Sequence, residues 1–500
     1  MAVSFTITRN TTRFHDSNGN GVKDAGETDF DTPELGVYDP GDILYTRITI
    51  TNTGDQTATG VTIEDTFTGS SFVDSVGNAS NYFVNISPIA FNDTFQAIGN
   101  TVLRVGNAGT LNGGESTTFA GNLISNDVGN LPNDSIAGFK IDVVGDGTFS
   151  GSGITAKGGH YNILADGSFN YVNSGTDTDL TDGDSFTYTI RDAGFDGVYN
   201  TADDLTSIGK VTITFAEQSA GVAHRVWYVD SAAAAGGDGT SANPFQTLTQ
   251  LNGVTGDGST NDDLDKAGEY IYVENGAGAA AVGPITLENG QQLIGKGADL
   301  VVAGITLATA GTNSAISSSV NNSYVVTVGS NNTIAGLNLV GTGTNTGGIT
   351  DNQVGSFGTL TLNPAALNSL SSYQSTITAT GAALNLSDGA VAGNGFSNTT
   401  SSGGTNNVSL TNITGTLALG AGNMTNATGA SFNVSGGTVS TTYTGGINHS
   451  AATGSLISVS GGHSTGTIAF HTGTLASSNG GGLVFDNADG TYSLNGTTTL

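Results

Sequence analysis

Between residues 384 and 490 the chain repeats one short signature. It appears as Leu384-Asn-Leu-Ser-Asp-Gly389, Val408-Ser-Leu-Thr-Asn412, Phe432-Asn-Val-Ser-Gly-Gly437, Ile457-Ser-Val-Ser-Gly-Gly462 and Val484-Phe-Asp-Asn-Ala-Asp-Gly490. The first residues lie 24, 24, 25 and 27 apart. A period in this range marks a stacked repeat, in which no unit can bury its own apolar side. Each unit holds short alternating apolar stretches broken by Gly or Asn, the residues that turns of positive φ select. The spacing fits a coil of about three short strands, with equivalent residues stacked about 4.8 Å apart.

Composition narrows the rest. The 500 residues include 77 glycines, no cysteines and no long helical periodicity, so the fold class is all-β. Five hundred residues exceed what one core serves, and three regions stand out. In residues 1–87, Ile43-Leu44-Tyr45-Thr46-Arg47-Ile48-Thr49-Ile50 reads as a strand. A turn at Asn52-Thr53-Gly54-Asp55 leads to a second strand at Gly60-Val61-Thr62-Ile63-Glu64-Asp65. Residues 88–217 carry Phe91-Asn92-Asp93, Asn122-Leu123-Ile124-Ser125-Asn126-Asp127 and Asp184-Ser185-Phe186-Thr187-Tyr188-Thr189-Ile190-Arg191-Asp192. Asp146-Gly147 and Asp166-Gly167 are dipeptides that hairpin turns favour. Residues 218–224 read as a linker. From 225 to 500 the style changes, opening with Trp227-Tyr228-Val229-Asp230, Gly237-Asp238-Gly239-Thr240 and Asn243-Pro244-Phe245.

These runs carry three resemblances. The first region resembles the conserved repeat domain of bacterial surface proteins, which implies an immunoglobulin-like β-sandwich spacer. The second resembles the cadherin-like and immunoglobulin-like modules of giant bacterial adhesins. The third resembles a pectate-lyase-like right-handed parallel β-helix. Together they imply two β-sandwich domains followed by a solenoid, as in a large outer-membrane or surface adhesin.

Charge excludes several functions. With 12 Lys+Arg against 42 Asp+Glu, the net charge of −30 opposes binding to nucleic acid or to anionic membranes. It suits an extracellular surface and Ca²⁺, which takes oxygen ligands. Without cysteine there are no disulfides, thiolate metal sites or thiol nucleophiles. No run of 18 apolar residues exists to span a bilayer as a helix. Residues 1–9 lack the pattern of a secretory signal. Thr497-Thr-Thr-Leu500 stops inside a strand-like run, so a chain continuing past residue 500 is expected.

Two loops are candidate Ca²⁺ sites. From Asp16 to Glu27 a twelve-residue pattern places oxygen ligands at Asp16, Asn18, Asn20, Asp24 and Glu27. The Val22 carbonyl falls at position seven, and Gly21 allows the sharp turn at six. The alternative is a solvated Asn/Gly turn. The second loop holds Asp192, Asp196, Asp203 and Asp204, four carboxylates that would repel unless hydrated or neutralised by a cation. Its alternative is a soluble acidic loop. Asp257, Asp262, Asp263 and Asp265 form a third cluster, read as solvated.

Catalysis finds few reagents. No Lys or Arg occurs from residue 297 to 500, and the only acids after residue 300 are Asp351, Asp388, Asp486 and Asp489. Lyases on uronates need a cationic base or clamp, and glycosidases need a carboxyl pair. His449, His463 and His471 read as exposed turn or strand residues, and Trp227 as a packing residue at the start of the solenoid. The expectation is a non-enzymatic adhesive protein with an unspecified carbohydrate or protein receptor and a capacity for self-association. The alternatives are an extracellular polysaccharide-acting enzyme, lyase- or hydrolase-like, that uses the β-helix groove, and a self-associating surface-layer component.

Overall fold

A computed structural model describes residues 5–15, 42–52 and 87–500, except 110–113, 130–137, 143–148, 178, 195–196, 220–221, 253–263, 275–278, 352–354 and 368–373. The chain is all-β, with only two short 3-10 turns among the described residues. In the first region Phe5–His15 pairs antiparallel with Asp42–Asn52, running from Phe5 opposite Asn52 to His15 opposite Asp42. The expected strand at 43–50 lies within the second of these, while the expected strand at 60–65 falls outside the described residues.

The second region folds as two sheets around one core. The first orders Asp93–Ala97, Thr206–Phe215, Asp184–Arg191 and Lys140–Asp142. The second orders Ser116–Phe119, Val102–Val105, Phe169–Val172, His160–Ile163 and Gly151–Ile154. In Asp184–Arg191 the side chains alternate, so Phe186, Tyr188 and Ile190 enter the core beside Leu103, Phe169 and Val211. The expected hairpin at Asp166-Gly167 is present. Gly167 takes φ 79°, and the Asp166 carboxylate accepts from the Ser168 amide at 2.9 Å.

From Val226 onward the chain winds into three parallel ladders. One runs from Val226–Asp230 through Tyr270–Glu274, Gln292–Gly295 and Thr333–Ala335 to Gly358–Leu362. A second begins at Ile285–Thr286, Tyr324–Val328 and Gly347–Asp351. The third runs from Ala281–Val282 to Thr498–Thr499. Leu384–Gly393 and Val408–Ala418 are long because each bends between the first two ladders, at Asp388 and Asn412, which take φ 59° and 52°. Each strand pairs with its equivalent one coil later, the pattern of a β-solenoid.

The register confirms the repeat and corrects its last unit. Leu384 pairs with Val408, Val408 with Phe432, and Phe432 with Ile457. Ile457 then pairs with Leu483 rather than Val484. Because side chains alternate, the one-residue slip puts Leu483 against the core and turns Val484 outward, 41 % exposed. Stacked inside are Leu386, Leu410, Val434 and Val459, with Phe432 set edge-to-face on Phe470 at 5.1 Å.

The stretch read as a linker contains an antiparallel pair. Glu217–Ser219 lies against Val222–Ala223. Immediately after it, Gly99 of the second region bridges Arg225 in parallel. The Gly99 amide donates to His224 O at 2.9 Å, and the Val226 amide returns to Gly99 O at 3.1 Å. Backbone hydrogen bonds therefore tie the second region to the first strand of the solenoid directly.

Candidate functional site at the junction

Alternation along Tyr270–Glu274 builds the junction. Ile271 and Val273 point into the coil, which leaves Tyr270 and Tyr272 on its outer face. There they share a second core with Ile98 and Ala216 of the preceding region and with Val226, Tyr228 and Leu300. Polar contacts fix the approach. Tyr228 Oη and Thr101 Oγ1 lie 2.8 Å apart, and Ser241 Oγ donates to Glu115 O at 2.7 Å. Gly114 packs against the Ser241 carbonyl so closely that a Cβ would collide with it. Arg225 donates to Asp177 O at 2.5 Å while its Nε lies 3.6 Å from Glu269. The Trp227 indole donates to Glu269 Oε2 at 2.6 Å and stacks on Phe245, so Trp227 is a buried packing residue as expected.

Beside this core lies a cleft of about 400 Å³ lined by Glu115 and Ser116 on one side and Tyr272, Glu274, Lys296 and Thr306 on the other. Leu307 and Ala308, at the end of Ile305–Ala308, form an apolar wall. Burial, and then the negative charge of Glu274, pushes the Glu115 carboxyl up to about 7. Lys296 is already engaged by Glu274, and that hydrogen bond raises its pKa. Tyr272 is fully buried and its hydroxyl has no hydrogen-bond partner. Burial and the nearby Glu274 and Glu115 raise the phenol's pKa.

Of the sequence-derived Ca²⁺ candidates, Asp16, Asn18, Asn20, Val22, Asp24, Glu27 and Asp196 lie outside the described residues. Asp192, Asp203 and Asp204 are described. Asp192 is buried and accepts from the Gly194 amide at 3.0 Å and the Leu205 amide at 2.8 Å. Asp204 accepts from the Asn200 amide at 2.6 Å and lies 3.5 Å from Arg191, whose Nε also holds Asp142 at 2.8 Å. Thr201 donates to Asp203 at 2.7 Å. Arg191 thus supplies this loop with a cation from the chain itself. Among the described residues no group of three or more His, Asp or Glu stands close enough to hold a metal ion. Asp257, Asp262 and Asp263 lie outside them, and Asp265 is buried and accepts from Gln291 at 2.6 Å.

Two histidines differ from expectation. His449 and His463 are fully buried, because the strands Gly446–His449 and His463–Phe470 turn them inward. His463 Nε2 faces the Val439 carbonyl at 3.0 Å, so it donates, and Nδ1 accepts from Tyr492 at 3.0 Å. His449 Nε2 likewise faces Thr453 O at 3.0 Å. Both rings bridge the coil wall to a turn.

A third polar knot closes the two-sheet region. Tyr188 Oη has Phe91 O at 2.9 Å, Leu123 O at 3.0 Å, Asp93 Oδ2 at 3.1 Å and Asp127 Oδ2 at 3.1 Å around it. One phenol proton serves several acceptors, and burial raises Asp93 and lifts Asp127 to about 6. No helix among the described residues is long and apolar enough to cross a membrane. No family model, no curated protein and no solved structure matches the chain.

Proposed function

We propose that this chain is a non-enzymatic, extracellular structural and adhesive protein: immunoglobulin-like spacers at residues 1–87 and 88–217 leading into a right-handed β-solenoid stalk from 225. The observation that carries the reading is the stack of parallel coils bridged by backbone hydrogen bonds to the two-sheet region, an arrangement that suits a load-bearing stalk. Acidity supports it. A net charge of −30 keeps a surface-displayed rod soluble and repels like chains. The polar outer faces, rich in Ser, Thr and Asn, suit a stalk displayed in water at a bacterial surface.

Calcium belongs to the same reading. An ion held by Asp16, Asn18, Asn20, Val22, Asp24 and Glu27 would stiffen that loop at extracellular concentrations near millimolar. Binding to the folded form alone raises stability as RT ln(1 + [L]/Kd). Melting the protein in EDTA and in 2 mM Ca²⁺ tests this: a rise in Tm with calcium is expected, and identical melts remove calcium from the proposal. Screening neutral and uronic polysaccharides for new reducing ends or unsaturated products tests the absence of enzymatic activity, which any turnover overturns.

A further inference from the structure

We propose that the junction cleft is a binding site for an alkylammonium group, the chemistry of a lysine side chain on a partner protein. Its polar end holds Glu115 and Glu274 with Asp230 close by, against Lys296, the one cation among the described lining residues. Lys296 is hydrogen-bonded to Glu274 and acts on Glu115 through its charge, so one cation serves two carboxylates. At the floor, the Tyr272 hydroxyl is fully buried and has no hydrogen-bond partner. An ammonium offers three N–H donors, enough for the Glu115 carboxylate, the Tyr272 oxygen and the outer carboxylate of Glu274. The Leu307 and Ala308 wall gives the methylene stem an apolar surface to lie along, as long cationic side chains do.

Other ligand classes fit less well. Ca²⁺ requires six to eight oxygens, and only two carboxylates line the cleft. An anion would meet uncompensated carboxylate, and a neutral ligand would leave the charge imbalance in place. An arriving cation favours the ionised form of Glu115, whose proton is held up by burial and by Glu274, so binding releases a proton to solvent. The field of a chain carrying −30 draws cationic partners toward it. The site depends on the junction's geometry and not on the adhesive reading, so melts insensitive to calcium would leave it standing.

The test is calorimetric titration of the full chain at pH 6.5 with Nα-acetyl-lysine amide, in two buffers of different ionisation enthalpy. The expected result is saturable binding with proton release. The norleucine analogue, which lacks the charge, and the Nζ-trimethyl analogue, which lacks the donors, should bind at least about tenfold more weakly, the loss of one charge-assisted hydrogen bond. Putrescine as a further probe separates a free polyamine from a protein side chain, both being alkylammonium ligands. Glu115→Gln should weaken binding about tenfold and abolish proton release, while Lys296→Met should strengthen binding by removing the cation that competes for both carboxylates. No heat beyond a salt-matched control, equal binding of the trimethyl analogue, or unchanged affinity in both variants overturns the site.

Discussion

The Asn412 side-chain amide donates to the Asp388 carboxylate at 2.9 Å, joining two successive coils at the point where each strand bends. Both residues hold left-handed backbone, φ 52° and 59°, a conformation Asn and Asp tolerate and most L-residues do not. One coil on, the column continues through Gly436 and Gly437, also at positive φ. The bend is thus written into the sequence as Asp, Asn, then Gly.

Replacing Asn412 separates its two roles. Asn412→Gly loses the exposed hydrogen bond but keeps the backbone free, and should cost well under about 1 kcal/mol. Asn412→Ala loses the bond and strains φ, and should cost about 1–3 kcal/mol. Urea unfolding followed by circular dichroism ranks the two; a glycine variant less stable than the alanine variant would contradict the backbone explanation.

Phe432 is the largest apolar side chain on the repeat's inner column, fully buried and edge-on to Phe470. Phe432→Ala should destabilise the solenoid by about 3–5 kcal/mol, and Phe432→Leu by much less, since leucine retains most of the volume. Exchange of backbone amides in Val408–Ala418 and Ser455–Ser460 reads the loss on both neighbouring coils. A stack predicts protection lost on both sides, while loss confined to one coil would refute nearest-neighbour coupling.

What the sequence made legible follows from these columns. The spacing of Leu384, Val408, Phe432 and Ile457 read the stack correctly, because each inward position needs an apolar residue and each bend an Asn, Asp or Gly. The Val484 alignment failed because Leu483-Val484-Phe485 is apolar throughout, which erases the alternation that fixes register. His449 and His463 read as exposed because a buried polar side chain leaves no local mark, and its carbonyl partners lie on turns that composition cannot place. Glu115 carried no signal at all beside its glycines. Lys296 did, as the last cation before 204 residues without Lys or Arg.

The knot at Tyr188 sets a pH dependence for the two-sheet region. Burial lifts Asp127 from 3.8 to about 6, with the Phe91 amide and Tyr188 opposing and Asp93 adding to the rise. A carboxyl whose folded pKa is raised favours folding while it keeps its proton. That contribution is present below about 4 and lost as pH rises from there to about 6. Asp127→Asn should flatten the change in Tm across this window, measured by calorimetry of the transition in which the two-sheet region unfolds. An unaltered slope in the variant would place the titration elsewhere.

Arg225 is nearly buried between Asp177 O, Glu269 and the face of Trp227, its guanidinium 5.3 Å from the ring. Removing the cation alone strands the Glu269 carboxylate, itself raised by burial and lowered by Arg225. Arg225→Leu should therefore cost about 3–5 kcal/mol, the penalty of an uncompensated buried charge. Most of that loss should return in the double variant Arg225→Leu with Glu269→Leu, because replacing both ions by apolar groups removes the stranded charge. Arg225 also ties the two-sheet region to the solenoid through Asp177, so the double variant should recover solenoid stability while its two regions unfold as separate transitions. Calorimetry resolves the two: a single merged transition in the double variant would show that the clasp is not what couples them.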